Sequence, residues 1–160
     1  LEMISELLRY QLYGGNQKVS ILQEIDYLKT YIALRKLRMS ERLRLRVEFP
    51  PELNELNIYP LLFLPLVENA FKYVGGDYQL DIIMKWENNR ISLFIRNSIP
   101  QLSAEDEALR KSVDERQRKG IGLVNLRRRL SLLYPNKHRL ETRKEETEFV
   151  AELMIEIEDI

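Results

Sequence analysis

The 160-residue chain has no cysteine, a single histidine (His138) and no net charge, with 25 basic side chains set against 25 acidic ones. Without thiols there are no thiolate nucleophiles, disulfides or zinc-thiolate sites, which suits a reducing compartment. The charge balance argues against a general polyanion binder, so nucleic acid is not an expected partner. Long apolar runs are missing too. The longest, Leu61 to Val67, is far short of the roughly 20 residues needed to cross a bilayer, and the chain reads as no membrane span itself. No signal peptide is visible, and the chain opens on Leu1 with a helical pattern already under way, so it reads as cut from something longer. What is present, 44% hydrophobic and 31% charged residues, is the composition of a soluble globular domain, here with an appended helix.

Ile4, Leu7, Leu8 and Leu12 lie at helical spacing, and Gly14 and Gly15 suit a helix stop. A second helix is expected from Ser20, a cap with Gln23 three residues on, along an apolar stripe of Ile21, Ile25, Leu28, Ile32 and Leu37 that fades by Ser40. Arg44 to Phe49 alternates basic with apolar residues as a half-buried strand does, and Pro50 and Pro51 stop it. Another helix is expected to begin near Pro60. Tyr78 to Trp86 and Arg90 to Asn97 read as a hairpin turning at Glu87, Asn88 and Asn89. A helix over Leu123 to Tyr134, with Leu123, Leu126, Leu130 and Leu133 on one face, precedes a second hairpin of Leu140 to Lys144 and Glu148 to Ile157. His138, after Pro135, Asn136 and Lys137, reads as a solvated loop histidine. Between Ser98 and Lys119 lie 22 residues with five acidic and five basic side chains and little to bury, a length typical of a lid or of a solvated insertion.

Two segments carry chemistry. Along Tyr59 to Gly76, at about 100° per residue, Glu68, Asn69, Lys72 and Tyr73 fall within one arc of about 140° while Phe63, Leu66, Val67, Ala70, Phe71 and Val74 take the opposite one. The polar set suits a nucleoside triphosphate. Asn69 offers an amide oxygen to Mg²⁺, Lys72 neutralises phosphate, and Glu68, kept ionised by Lys72 one turn away, orients or deprotonates a nucleophile. An ordinary amphipathic helix with a Glu/Lys pair gives the same pattern. In the second segment, Gly120 and Gly122 let the backbone approach a ligand, and a helix starting near Leu123 aims free N–H groups at it. A tight loop would use glycines likewise. Arg127, Arg128 and Arg129 read as a solvated helix face.

These segments, in this order, resemble the N box and glycine box of the GHKL ATPases, which include the histidine kinases, DNA gyrase and MutL. More narrowly, Leu7-Leu8-Arg9-Tyr10, Glu24-Ile25-Asp26-Tyr27-Leu28, Tyr31-Ile32, Leu37-Arg38, Pro65-Leu66-Val67-Glu68-Asn69-Ala70-Phe71-Lys72 and Gly120-Ile121-Gly122-Leu123-Val124-Asn125-Leu126-Arg127-Arg128-Arg129-Leu130 look like the LytS-type sensor histidine kinases. The resemblance covers nearly the whole chain. It implies a two-layer α/β sandwich, the Bergerat ATP-binding fold, over residues 39–160, with residues 1–38 as partial dimerisation and linker helices.

By matching positions it implies Glu68 as the catalytic residue, Asn69 as the Mg²⁺ ligand, and Lys72, Tyr73, Asn97, Gly120, Ile121, Gly122, Leu123 and Asn125 as ATP contacts, with residues 98–119 as the lid. The implied reaction moves the ATP γ-phosphoryl to a histidine upstream of this chain, for relay to a response regulator. The implied parent is a homodimer anchored upstream in the inner membrane, with this part in the cytoplasm. Two departures stand out. Tyr73 occupies a position where the family often has histidine, and Arg96-Asn97-Ser98 replaces the Asp-x-Gly-x-Gly that reads adenine. They leave room for a catalytically degenerate scaffold, and another GHKL class, such as a serine kinase or an ATP-driven clamp, is the further alternative.

Overall fold

A computed structural model of the chain describes residues 17–51, 53, 55–101, 105, 106, 108 and 121–158. The first helix, α1 (Ile21–Arg38), starts where expected: the Ser20 hydroxyl accepts from the Gln23 N–H and the Gln23 side chain accepts from the Ser20 N–H, both at 3.2 Å. Its buried residues Ile21, Ile25, Leu28 and Ile32 are the expected stripe. Leu37 is not part of it. It is 79% exposed, because the 4-3-4 spacing of the stripe brings position 35, not 37, round to the inner face.

Two two-residue strands, β1 (Val19–Ser20) and β3 (Asn57–Ile58), pair antiparallel and pin the start of α1 beside the loop that leads to α2 (Leu64–Tyr73). That helix begins later than Pro60. Leu61 has φ 62°, a left-handed conformation that interrupts any helix there, and Pro65 occupies the first turn, where its missing N–H is harmless.

The main sheet has the order β2 (Arg44–Glu48), β4 (Gln79–Glu87), β5 (Arg90–Ser98), β7 (Glu148–Glu156), β6 (His138–Lys144). The β2–β4 pair is parallel and all others are antiparallel. Asn88 and Asn89, at φ 52° and 60°, make the tight two-residue turn between β4 and β5, a backbone that asparagine tolerates well. Leu80, Ile82, Met84, Ile91, Leu93, Ile95, Leu153 and Ile155 line the inner face of the sheet. They form one core with α1, α2 and α3 (Ile121–Leu133), the expected α/β sandwich. On α3, Leu126 and Leu130 are buried and Leu123 and Leu133 pack partly against the core, as the leucine spacing predicted.

His138 departs from its expected place. It opens β6, half-buried, with Nδ1 2.7 Å from the Tyr134 carbonyl oxygen. The arginines of α3 are also less free than a solvated face requires: Arg127 donates to the Leu140 carbonyl at 3.2 Å and Arg129 to the Leu61 carbonyl at 3.4 Å. Arg128 is exposed.

Candidate functional site

The site is built on α2. Its apolar arc (Phe63, Leu66, Val67, Ala70, Phe71 and Val74) is wholly buried, which fixes the rotation of the helix and turns the opposite arc outward. There Glu68 and Lys72 are exposed and Asn69 and Tyr73 half-buried, the four side chains the periodicity grouped.

Hydrogen bonds at both ends hold this helix in place. At its entrance, the Leu61 N–H donates at 2.6 Å to the carboxylate of Glu24, a fully buried residue of α1, while the Leu61 carbonyl accepts from Arg129 of α3. Tyr134 adds its hydroxyl as acceptor to the Tyr59 N–H at 3.1 Å. At its exit, the Gly75 N–H donates to the Ser98 carbonyl at 2.9 Å, and the Ser98 hydroxyl donates to the Gly75 carbonyl at 2.7 Å while accepting from the Gln79 N–H. Gly76, at φ 61°, lies so close to Ile99 that a Cβ would stand 2.8 Å from its carbonyl oxygen, and only glycine fits. The end of the polar helix is thereby tied to the end of β5.

That junction places Asn97. It is 1% exposed on the inner face of the sheet, opposite Leu80 and Phe149 in the ladders, and its Nδ2 makes a long 3.4 Å bond to the Ser98 carbonyl. A buried amide so lightly held retains hydrogen-bonding capacity for a ligand. Asp81, the nearby acid of β4, faces the other way and is bound to Arg96 at 2.5 Å.

Of the glycine segment, Gly120 lies outside the described residues, as do residues 102–104, 107 and 109–119 of the expected lid and the side chain of Ile121. Gly122 stands in the first turn of α3, where a Cβ would meet no atom of the described residues within 4 Å. Packing against the described residues therefore gives no reason for glycine at this position, whereas close approach of a ligand to the backbone would. Leu123 is half-buried against the core and Asn125 exposed.

The expected pairing of Glu68 with Lys72 is not what the structure contains. Among the described residues the two form no salt bridge, and the Lys72 ammonium sits 5.4 Å from the centroid of the Tyr73 ring. The charge that acts on Glu68 comes from α1. Partial burial raises the Glu68 carboxyl above its usual range, and the Arg35 guanidinium pulls it back. Arg35 lies 5.6 Å over the Phe71 ring, and Tyr31 meets the same ring edge-on at 6.3 Å. The sequence reading missed Arg35 and Glu24. A signal for Arg35 was present, a cation standing at the next inward position of an otherwise apolar stripe.

The histidine kinase family model matches residues 1–43. The sensor protein kinase HptS of Staphylococcus aureus is 27% identical over 145 residues, 88% of this chain. The chain is similar to the sensor histidine kinases. It spans 28% of the length of HptS. The catalytic domain of histidine kinase ThkA superposes with a TM-score of 0.58 at 16% identity, covering 89% of this chain and 97% of that one. Full-length ShkA, solved in complex with AMPPNP, gives 0.57 at 13% identity, covering 98% of this chain and 35% of that one. The fold is thus that of a histidine kinase catalytic domain.

No helix among the described residues is long and apolar enough to cross a membrane. No group of three or more His, Cys, Asp or Glu side chains among them gathers to hold a metal alone. A cation at Asn69 would need oxygen ligands brought by a phosphate, which fits the amide, carboxylate and ammonium donor set of α2.

Proposed function

We propose that the chain binds ATP with Mg²⁺ between the polar face of α2 and the start of α3, as the catalytic domain of a LytS-type sensor kinase. The observation that carries this reading is the arrangement on α2: Glu68, Asn69 and Lys72 project from one face with no salt bridge among them, beside a buried Asn97 with hydrogen-bonding capacity to spare. That full-length ShkA, part of which shares this fold, was solved in complex with AMPPNP supports it.

In this reading Asn69 holds Mg²⁺, which offsets phosphate charge when bound. Lys72 and the first turn of α3 (Ile121, Gly122, Leu123, Asn125), with Gly120 before it, receive the phosphates, and Asn97 and Tyr73 border the base and sugar. Glu68 holds or accepts the proton of the incoming imidazole as its ring nitrogen attacks the γ-phosphorus and the bond to the ADP oxygen breaks. In this reading the receiving histidine lies upstream, and His138, which opens β6 beside Tyr134 at the end of α3 away from Gly122, is not the acceptor. An aspartate on a response regulator then takes the phosphoryl group. Residues 1–38 act as linker and dimerisation helices of a membrane-anchored homodimer, with residues 39–160 as the catalytic part on the cytoplasmic side. α1 nonetheless shares the domain core, so movement of the linker reaches α2 directly.

Tyr73 and the Arg96-Asn97-Ser98 segment favour a second reading, a scaffold that has given up nucleotide. Calorimetric titration with ATP and ADP, with and without Mg²⁺, separates the two. Magnesium-dependent binding that weakens about 100-fold in Asn69→Ala, a loss of about 2.7 kcal/mol, supports the kinase reading. No binding at millimolar nucleotide by a folded chain supports the scaffold.

A further inference from the structure

Glu24 has no exposed surface, and it sits among Ile21, Ile25 and Leu28 on the inner side of α1, where an apolar side chain would spare the fold the burial of a carboxyl group. One of its oxygens accepts the Leu61 N–H at 2.6 Å, 37 residues away along the chain, and Leu61 is the residue with φ 62°. A leucine in the left-handed region is strained, because its Cβ crowds the backbone. Backbone strain of this kind persists only where the surroundings over-determine it, and it gathers at functional sites.

We propose that Glu24 is a positioning residue for the nucleotide site: its side chain holds Leu61 in the left-handed conformation and so sets α2 against α3. The inference rests on the ATP reading for what is positioned and on the hydrogen bonds for how. Leu61 stands three residues before α2, and its carbonyl accepts from Arg129 of α3 at 3.4 Å. One residue therefore carries a bond from α1 on its N–H and a bond from α3 on its carbonyl. Two residues earlier, the Tyr59 N–H donates to the hydroxyl of Tyr134, which follows α3 directly, so the loop is held against that helix at two points. Rotation about φ swings the carbonyl and the chain beyond it relative to the N–H. Relaxation of Leu61 to a negative φ would redirect α2 and move Asn69 and Lys72 relative to Gly122 in the first turn of α3.

The backbone ties between the start of α1 and this loop end before the strained residue. The β1–β3 ladder stops at Ile58, and the Ile21 N–H donates to the Leu56 carbonyl at 2.8 Å, so these bonds locate the start of α1 without fixing the backbone at Leu61. An acceptor on α1 that reaches Leu61 is what Glu24 adds.

The test is a double-mutant cycle in the 160-residue chain, made of Glu24→Met, which keeps a similar stem without the carboxyl oxygens, Leu61→Gly, which adopts a positive φ without strain, and the two together. Two quantities are read: affinity for ATP with Mg²⁺ by calorimetry and, without nucleotide, the amide NMR shifts of Asn69, Lys72 and Gly122. In the otherwise parent chain, Glu24→Met is expected to weaken binding by about tenfold and to move all three amides. In the Leu61→Gly background the same substitution is expected to change affinity by less than about twofold and to leave the amides in place. Glycine gives up the packing of Leu61 against the core, so the double variant should melt below the parent, and recovered affinity is then not recovered stability. Equal losses in the two backgrounds, or amides that keep their parent shifts in Glu24→Met, reduce Glu24 to a buried structural residue and overturn the proposal. Should Glu24→Met fail to fold, Leu61→Gly is expected to restore the folded state, and a double variant that stays unfolded overturns it as well. A parent chain that binds no nucleotide overturns the ATP reading instead, and the amide shifts then decide the positioning by themselves.

Discussion

Two charged surfaces of this molecule look alike in the sequence and differ in the structure. The outer face of the sheet is dense in charge, and much of that charge is paired: Arg96 binds Asp81 at 2.5 Å and Glu148 at 3.5 Å, Arg46 binds Glu48 at 2.8 Å, and Arg139 and Arg143 bind Glu141 and Glu145. The outward face of α2 also holds opposite charges, one helical turn apart, and there Glu68 and Lys72 leave each other alone. Side chains that neutralise their neighbours are tied into the fold, while those kept apart remain open to a ligand. What separates a site from a surface here is where the countercharge goes, not how much charge there is.

The contrast breaks most visibly at Asp81. It is 3% exposed beneath Arg96, so Asp81→Ala leaves the guanidinium without its main partner and the buried spot half-filled, and is expected to destabilise the chain by about 1–3 kcal/mol. Nucleotide affinity should be unchanged, since Asp81 faces away from α2. Denaturant unfolding measures the first quantity and calorimetry the second, and an affinity loss comparable to that of Asn69→Ala would erase the distinction between the two surfaces. A milder version is Arg46→Gln. Arg46 and Glu48 are both largely exposed, and breaking an exposed pair should shift stability by less than about 0.5 kcal/mol, with nucleotide affinity again unaffected.

How much of this was readable beforehand follows the range of the contacts involved. The polar and apolar arcs of α2, the Ser20–Gln23 cap and the Asn88–Asn89 turn were legible because each is fixed by residues within a turn or two of one another. The Glu24–Leu61 bond, the Arg129–Leu61 bond and the two-residue β1–β3 pairing span tens of residues, and no local period announces them. The partner of Glu68 failed for a related reason. Spacing favoured Lys72 on the same helix, but the crease with α1 gave Arg35 a ring to lie on, and Lys72 found its own ring in Tyr73. The Gly-x-Gly segment was read as a loop beside a ligand, yet only Gly122 of its glycines falls among the described residues.

The smallest effect expected is also the sharpest test of the idea that Glu68 is held for chemistry and not for stability. Partial burial raises its carboxyl above the usual value of 4.5, with Arg35 opposing, so folding favours the neutral acid over the ion. A carboxyl raised in the folded state contributes stability below its unfolded pKa and loses it as pH climbs through the folded value. At pH 7 the ionised Glu68 is therefore a net liability, and Glu68→Gln should be more stable than the parent. Exposure to solvent limits the gain to a few tenths of a kcal/mol. The gap should close as the pH falls below the ordinary carboxylate range, where the parent too carries a neutral side chain. Paired denaturation curves at pH 7.5 and pH 3.5 read the difference. A variant less stable than the parent at pH 7.5 would mean that Glu68 belongs with the outer sheet, tied into the structure by a partner that its loss exposes.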